Sequence, residues 1–296
     1  MFGFLNCNKP IGFSSRDVVN VVQGQLSRRK IKVGHCGTLD PLAEGVLVIG
    51  VGPAAKLVPY VHQTSKCYLG TFRLAAESPT GDMEFEPTLH MDHPVPSLQQ
   101  LVVACEKLTG VIEQTPPVYS AIKVGGKRAY EMARQGRDLE MPTRKVHIES
   151  IRIVSFDFPN LELEITCGTG TYIRTLGMDL AKAVGTVAVM TALTRTRVGD
   201  FAISDTVSVD EIRRNNLESM LLPASMGVSH LPRLIVGPDQ CKRLANGLCL
   251  GDQQPDRANA LDPNAEHIAA ITADGRLKAI LVQKDEHWCP KKVFPG

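Results

Sequence analysis

The sequence predicts an α+β protein, and three observations carry that expectation. Apolar runs of strand length are interleaved with capped, amphipathic helical stretches. The two kinds do not alternate strictly, as a doubly wound parallel sheet would require. Near Leu231 the texture changes, and prolines and glycines punctuate the remainder.

The elements follow in order. Phe2–Asn8 reads as a short strand. Ser15 is placed to cap a helix running to about Leu26, with Val18, Val19, Val22 and Leu26 on one side. Arg28–Lys32 is a basic loop. Val46–Val51, bounded by Gly45 and Gly52, predicts a buried strand, and Cys67–Leu74 another. Ser97 with Gln100 has the capping-box form, and Leu98, Leu101, Val102, Cys105 and Leu108 supply the stripe of a helix ended by Gly110. Arg128–Gln135 predicts a short helix stopped by Gly136. Lys145–Phe156 and Leu161–Cys167 alternate as paired strands, and Tyr172–Val184 is an amphipathic helix ending at Gly185. Ser208 and Glu211 repeat the capping-box pattern. Ile268–Thr272 and Leu277–Val282, joined through Asp274-Gly275, predict a hairpin, because Asp-Gly suits a tight primed turn. The expected division is residues 1–229 as the larger domain and 230–296 as a small, mainly β C-terminal domain.

Composition narrows the function classes. A chain of 296 residues is a prior for two domains. With 43% hydrophobic and 22% charged residues it fits an ordinary globular protein. No apolar run approaches a membrane span. The start, MFGFLNCNKPIGFSS, lacks the basic, apolar and small-residue regions of a secretory signal, so a cytoplasmic setting is expected. The eight cysteines form no Cys-x-x-Cys and no zinc-finger spacing with histidine, so reduced, mostly buried thiols and no metal centre are expected.

The net charge is only +2, but charge is unevenly placed. Lys9, Arg16, Arg28, Arg29, Lys30 and Lys32 face Asp17 alone in the first 35 residues. Residues 119–147 hold Lys123, Lys127, Arg128, Arg134, Arg137, Arg144 and Lys145 against Glu131, Asp138 and Glu140. Residues 75–93 reverse the pattern, with Glu77, Asp82, Glu84, Glu86 and Asp92 and no Lys or Arg. Local basic stretches in a near-neutral chain fit a phosphate-contacting face and equally a solvated surface.

Four segments carry candidate chemistry. In Gly34-His35-Cys36-Gly37-Thr38-Leu39-Asp40-Pro41-Leu42-Ala43-Glu44-Gly45, glycines flank His35-Cys36 and allow a sharp bend. Pro41 keeps Asp40 extended and out of a helix, just before a buried strand that can aim it. Read alone, an Asp-Pro is an ordinary turn. Gly168-Thr169-Gly170-Thr171-Tyr172-Ile173-Arg174 runs from a strand end into a helix start. Lys66-Cys67-Tyr68 sets a tyrosine on a strand, which core packing alone would also explain. Pro116–Tyr130 interleaves lysines, glycines and tyrosines in a way that suits nucleic-acid contact.

Together these segments resemble the TruB family of tRNA pseudouridine synthases, from about Asn8 to Phe201. The long match GHCGTLDPLAEGVLVIGVGPAAK and the later GTGTYIRTLGMDL carry the resemblance. It implies the pseudouridine synthase catalytic fold, a mixed, largely antiparallel sheet flanked by helices, with a C-terminal domain that is PUA-like and RNA-binding. It implies that Asp40 attacks the target nucleotide and that Tyr68 stacks on the flipped uracil and is a candidate for removing the C5 proton. Tyr172 would line the pocket, Arg174 would pair with the aspartate, His35 would contact the RNA near the extruded base, and Leu193 would line the base pocket. Lys9 and Lys123, from the basic stretches, are added as substrate-binding candidates. Where family members often carry a second aspartate, this chain has Ser78-Pro79-Thr80-Gly81-Asp82, and it has Thr194 where an arginine usually follows the pocket leucine. The implied substrate is uridine 55 in the T-loop of tRNA, with no cofactor, no protein partner and a monomeric enzyme.

Two rival readings remain at this level. Gly50-Val51-Gly52-Pro53-Ala54-Ala55 formally matches a dinucleotide-binding turn after a strand, which would suit an oxidoreductase, although Pro59 interrupts the helix that should follow. The other rival is a non-catalytic RNA-binding protein.

Overall fold

A computed structural model describes residues 1–26, 30–119, 123–124, 127–129, 132, 141–251, 253–257, 260, 262 and 264–295. Most of the expected helix at Arg128–Gln135 lies outside the described residues, as do Arg28 and Arg29. The chain forms two compact units. One comprises Met1–Pro41, Gly45–Thr64 and Arg197–Gly296, and the other Leu42–Glu44 and Ser65–Thr196.

In the first unit, β1 (Gly3–Lys9) pairs antiparallel with β3 (Ala43–Val51), in register from Gly3 with Val51 to Lys9 with Gly45. Strand β2 (Val33–His35) lies antiparallel on β3, and β14 (Val207–Ser208) runs parallel to β1. The mixed sheet is therefore realised. Helix α1 (Ser15–Gln25) covers one face, but Ser14, not Ser15, is its cap: the Ser14 side chain accepts from the Asp17 N–H and the Asp17 carboxylate accepts from the Ser14 N–H. Leu47, Ile49 and Val51 meet α1 and α5 (Val209–Arg214) in one core, while Val46 and Val48 enter another. Because β3 is covered on both faces, its apolar run shows no alternation. The Gly-x-Gly-x-x-Ala segment ends this antiparallel strand and enters a 3-10 turn at Gly52–Leu57, followed by α2 (Val58–Gln63), so it builds no parallel crossover unit.

The C-terminal stretch holds the expected hairpin, β16 (His267–Ile271) with β17 (Leu277–Lys284). It is extended by β18 (His287–Val293) and by β15 (Arg233–Ile235), which is parallel to β16. One face of this sheet packs with α6 (Pro238–Ala245) around Leu244 and Trp288. The other contributes Ala269, Ile271, Ile280 and Phe294 to a core shared with Phe4 and Val48.

The second unit is a sheet ordered β12 (Ala188–Val198), β4 (Lys66–Leu74), β11 (Asn160–Cys167), β10 (Arg144–Asp157) and β7 (Gly110–Gln114). Strands β4, β11, β10 and β7 pair antiparallel in succession. Short pairs β5 (Ala76–Glu77) with β6 (Thr88–Leu89), and β8 (Lys123–Val124) with β9 (Lys127–Arg128), lie apart from it. Helix α3 (Leu98–Lys107) has the expected Ser97–Gln100 capping box, and α4 (Ile173–Ala183) packs against it and against β4. A close approach makes that packing possible: a Cβ on Gly177 of α4 would overlap the ring of Phe72, which is buried in β4. Gly177→Ala is expected to destabilise the protein by about 1–3 kcal/mol, the scale of overpacking a filled core. Chemical denaturation checks this, and Phe72→Leu in the same chain should recover part of the loss.

The thiol expectation holds for six cysteines and fails for two. Cys7, Cys36, Cys67, Cys105 and Cys167 are free and buried, and Cys241 is free and half-buried. Cys249 and Cys289, 40 residues apart, form a disulfide, joining the segment after α6 to β18. Nothing in their spacing signals a pair, because connectivity depends on the fold that brings the two residues together. Burial pushes the Cys7 thiol up to about 12 and those of Cys105 and Cys167 up to about 11, from an ordinary 9.0. A raised folded value favours the neutral thiol. Its stabilising contribution is therefore complete below pH ~9 and is lost as pH climbs toward 11–12. The native protein at pH 8 is expected to be alkylated at Cys241 well before these three, as read by mass spectrometry.

Candidate active site

Asp40 sits in the loop between β2 and β3, and both of its neighbours in the chain are tied down. The Leu39 side chain is buried. Its N–H donates to Ser15 Oγ at 2.8 Å, and Ser15 Oγ–H donates to the Leu39 carbonyl at 3.1 Å. On the other side the Pro41 carbonyl accepts from the Gly12 N–H at 2.8 Å. Upstream, the Cys36 N–H donates to the Val48 carbonyl at 2.7 Å, and Gly37 makes the bend with φ of 131°, a backbone region that favours glycine. The carboxylate-bearing residue itself is exposed. A rigid mount thus presents an acid to solvent, with no helix involved, as Pro41 predicts.

Lys9 departs from the picture of a surface cation. It is fully buried, and its ammonium donates to the carbonyls of Pro10, at 3.0 Å, and Phe13, at 2.6 Å. These bonds close the 10–13 turn whose Gly12 holds Pro41. His35 is half-buried on β2, opposite Ile49. Lys30 and Lys32 are exposed. Lys123 is on β8, but its side chain is outside the described residues.

The second unit carries Tyr68, Tyr172, Arg174 and Leu193. Tyr68 is half-buried in β4, opposite Ile165. Leu193 is buried in β12. Tyr172 occupies the N-cap position of α4, where its side chain makes no cap bond. Its backbone is held instead by Gln114, whose Oε1 accepts from the Tyr172 N–H at 2.7 Å and whose Nε2 donates to the Tyr172 carbonyl at 3.1 Å. The Arg144 guanidinium lies 4.9 Å from the ring centroid of Tyr172 and donates to the Gly170 carbonyl. In the first turn of α4, Arg174 is 5% exposed, and its Nη1 meets Asp82 Oδ2 at 2.8 Å and the Thr80 carbonyl at 2.7 Å. Asp82 Oδ1 accepts from Thr80 Oγ at 2.6 Å and from the Glu84 N–H at 3.1 Å. The carboxylate and the guanidinium Nη1 are thus buried with hydrogen bonds to each other and to Thr80 and Glu84, which helps offset the cost of burying the pair. Thr194 donates from Oγ1 to Glu44 at 3.1 Å, which ties the Leu42–Glu44 segment to β12.

Sequence reasoning passed over Gln114, took Ser15 for a helix cap and gave Asp82 no partner. The bonds of Gln114 to Tyr172, of Ser15 to Leu39 and of Asp82 to Arg174 join residues distant in the chain, so nothing local marks them.

Solved structures with this fold include a Cbf5-Nop10-Gar1 complex (TM-score 0.73, 22% identity, 99% of this chain and 85% of that one). Another is an H/ACA RNP bound to a substrate RNA containing 2'-deoxyuridine (TM-score 0.72, 20% identity, 100% and 86%). The family model for the N-terminal domain of TruB family pseudouridylate synthase matches residues 25–173. The tRNA pseudouridine synthase B of Rhodopirellula baltica is 40% identical, over 99% of this chain and 94% of that protein. That of Syntrophomonas wolfei is 37% identical, over 95% and 93%. The chain belongs to the TruB family of pseudouridine synthases. No described helix is long and apolar enough to cross a membrane.

Proposed function

We propose that this enzyme converts uridine to pseudouridine at position 55, in the T-loop of tRNA, with Asp40 as the catalytic carboxylate. The observation that carries the reading is the mount of Asp40: Leu39 and Pro41 are both hydrogen-bonded to the segment around α1, so the acid between them has a defined direction. The relatives named tRNA pseudouridine synthase B supply the RNA class.

The chemistry needs no net electron transfer. The N1–C1' bond breaks, the base turns, C5 bonds to C1', and the proton leaving C5 is balanced by one gained at N1. A carboxylate stabilises or traps the electron-poor intermediate. Tyr68 is assigned to stack on the uracil and to take the C5 proton, and Tyr172 and Leu193 to line the pocket. Arg174 is assigned to orient Asp40, and His35 to contact the backbone beside the extruded nucleotide. Extruding a base costs a few kcal/mol, and stacking on one aromatic face returns about 1–3 kcal/mol. A loop is a better target than a duplex, because its bases are already partly unstacked. Exposed Lys30 and Lys32, with Lys123, are assigned to phosphates. Residues 1–229 carry the catalysis in this reading. Residues 230–296, with their four-stranded sheet, extend the RNA contact of a monomeric enzyme that works without cofactor or protein partner.

The test is tritium release from tRNA labelled at uracil C5, together with mapping of pseudouridine in the product. One modified uridine in the T-loop is expected. Release that survives replacement of that uridine by cytidine would move the target elsewhere, and no release from any tRNA would remove the activity.

A further inference from the structure

The stretch 75–93 is acidic and carries no Lys or Arg, and an anionic segment on an RNA-modifying enzyme calls for a reason. At its end, His90, Asp92 and His93 each offer a ligand atom, and these atoms lie within 4.8 Å of one another. We propose that this cluster is a site for a divalent first-row transition ion of the zinc type, which clamps the base of the loop carrying Asp82.

The backbone prepares the cluster. The His90 N–H donates to the Ala75 carbonyl at 2.8 Å, and the His93 N–H closes a turn on the His90 carbonyl at 3.2 Å. That turn sets the two imidazoles side by side, with ring centroids 5.0 Å apart. Glu77 Oε1 is 3.0 Å from His90 Nε2. A carboxylate at that nitrogen holds the ring proton there and leaves the lone pair of Nδ1 for a metal, the usual arrangement behind a metal-bound histidine. With His93 Nδ1–H donating to Thr186 Oγ1, 3.4 Å away, its Nε2 keeps a lone pair for the ion. Metal bonds of about 2.0–2.2 Å put neighbouring ligand atoms some 3.3 Å apart, so only rotamer adjustment is needed, chiefly of exposed Asp92.

The donor set selects the ion. Two imidazoles and one carboxylate suit zinc, cobalt, nickel or copper, whereas magnesium and calcium want an oxygen shell. The carboxylates of Asp92 and Glu77 balance a dication, and no Lys or Arg occurs between residues 75 and 93 to oppose it. The place in the fold gives the ion its role. Ala76 pairs with Leu89 and Glu77 with Thr88, closing a loop over residues 78–87 that presents Asp82 to Arg174. Glu77 stands at one foot of that loop and is hydrogen-bonded to His90 at the other, so an ion that fixes the His90 ring also fixes the bond between the two feet. This proposal does not depend on the RNA position or on the role of Asp40.

The experiment is isothermal titration of the untagged, full-length protein with zinc chloride at pH 7.5, with thermal melts run in parallel. One zinc per chain and a zinc-dependent rise in melting temperature are expected. Cobalt(II) should give the intense visible bands of a low-symmetry, nitrogen-containing site. Glu77→Gln is expected to weaken binding by ~10–100-fold, as loss of an orienting partner does. His90→Ala with His93→Ala is expected to abolish both the binding and the melting shift, while the metal-free melt stays cooperative. No saturable binding by the parent protein, or undiminished binding by the double variant through the chain's other histidines, would overturn the site.

Discussion

Asp40→Asn is expected to abolish isomerisation while leaving fold and RNA affinity near those of the parent. Asparagine matches aspartate in shape, and residue 40 is exposed, so the exchange disturbs no packing. The anchors of the loop are Leu39, Pro41 and Ser15, and none of them changes. What disappears is the negative charge and the nucleophilic oxygen. Loss of a covalent or charge-stabilising group of this kind lowers turnover by at least about 1,000-fold. The loss should fall on kcat, because substrate binding draws on many other contacts. Single-turnover tritium release read beside a filter-binding isotherm separates the two quantities. The melting temperature should match the parent, since exposed isosteric changes usually stay within ~0.5 kcal/mol. Measurable turnover in the variant would take Asp40 out of the mechanism.

The second large effect is one of stability. Asp82→Ala is expected to destabilise the protein by about 3–5 kcal/mol, because it removes the buried carboxylate that meets the buried guanidinium of Arg174 at 2.8 Å. It also strands the Thr80 hydroxyl and the Glu84 N–H, which both donate to Asp82 Oδ1. Arg174→Lys should also be costly, since a point charge on a flexible stem replaces the planar guanidinium whose Nη1 meets both Asp82 and the Thr80 carbonyl. The double variant Asp82→Ala/Arg174→Ala should be less unstable than the sum of Asp82→Ala and Arg174→Ala measured against the parent, because the interaction between the two side chains is then lost only once. Urea unfolding curves of the four proteins give the coupling. Additive losses would mean that the pair contributes nothing as a pair.

Local signals explain where the sequence was legible. The boundaries of α1, α3 and α5 follow from Ser-x-x-acid or Ser-x-x-Gln patterns, since a capping box is a short-range device. Even there the choice between Ser14 and Ser15 depended on geometry, because Ser15 turns inward to hold Leu39. Strand β12 was not legible as an element. Its pattern places Arg195 among buried positions and exposes Ala192, against the alternation that strands usually show. Helix α6 was hidden by Pro238, which reads as a breaker but sits in the first turn of the helix, where proline is favoured.

The sequence by itself determined the family, the loop that carries Asp40, and the helices and strands around it. Those rest on contiguous motifs, on glycine and proline backbone limits, and on apolar periodicity, all of which act within a few residues. Tertiary structure alone decided that Lys9 is an internal brace, that Gln114 clamps Tyr172, that Asp82 answers Arg174, and that Cys249 finds Cys289. Each joins groups whose pairing is set by burial and by the meeting of separate segments. A polar or sulfur atom carries no local mark of the partner it will meet once water is excluded.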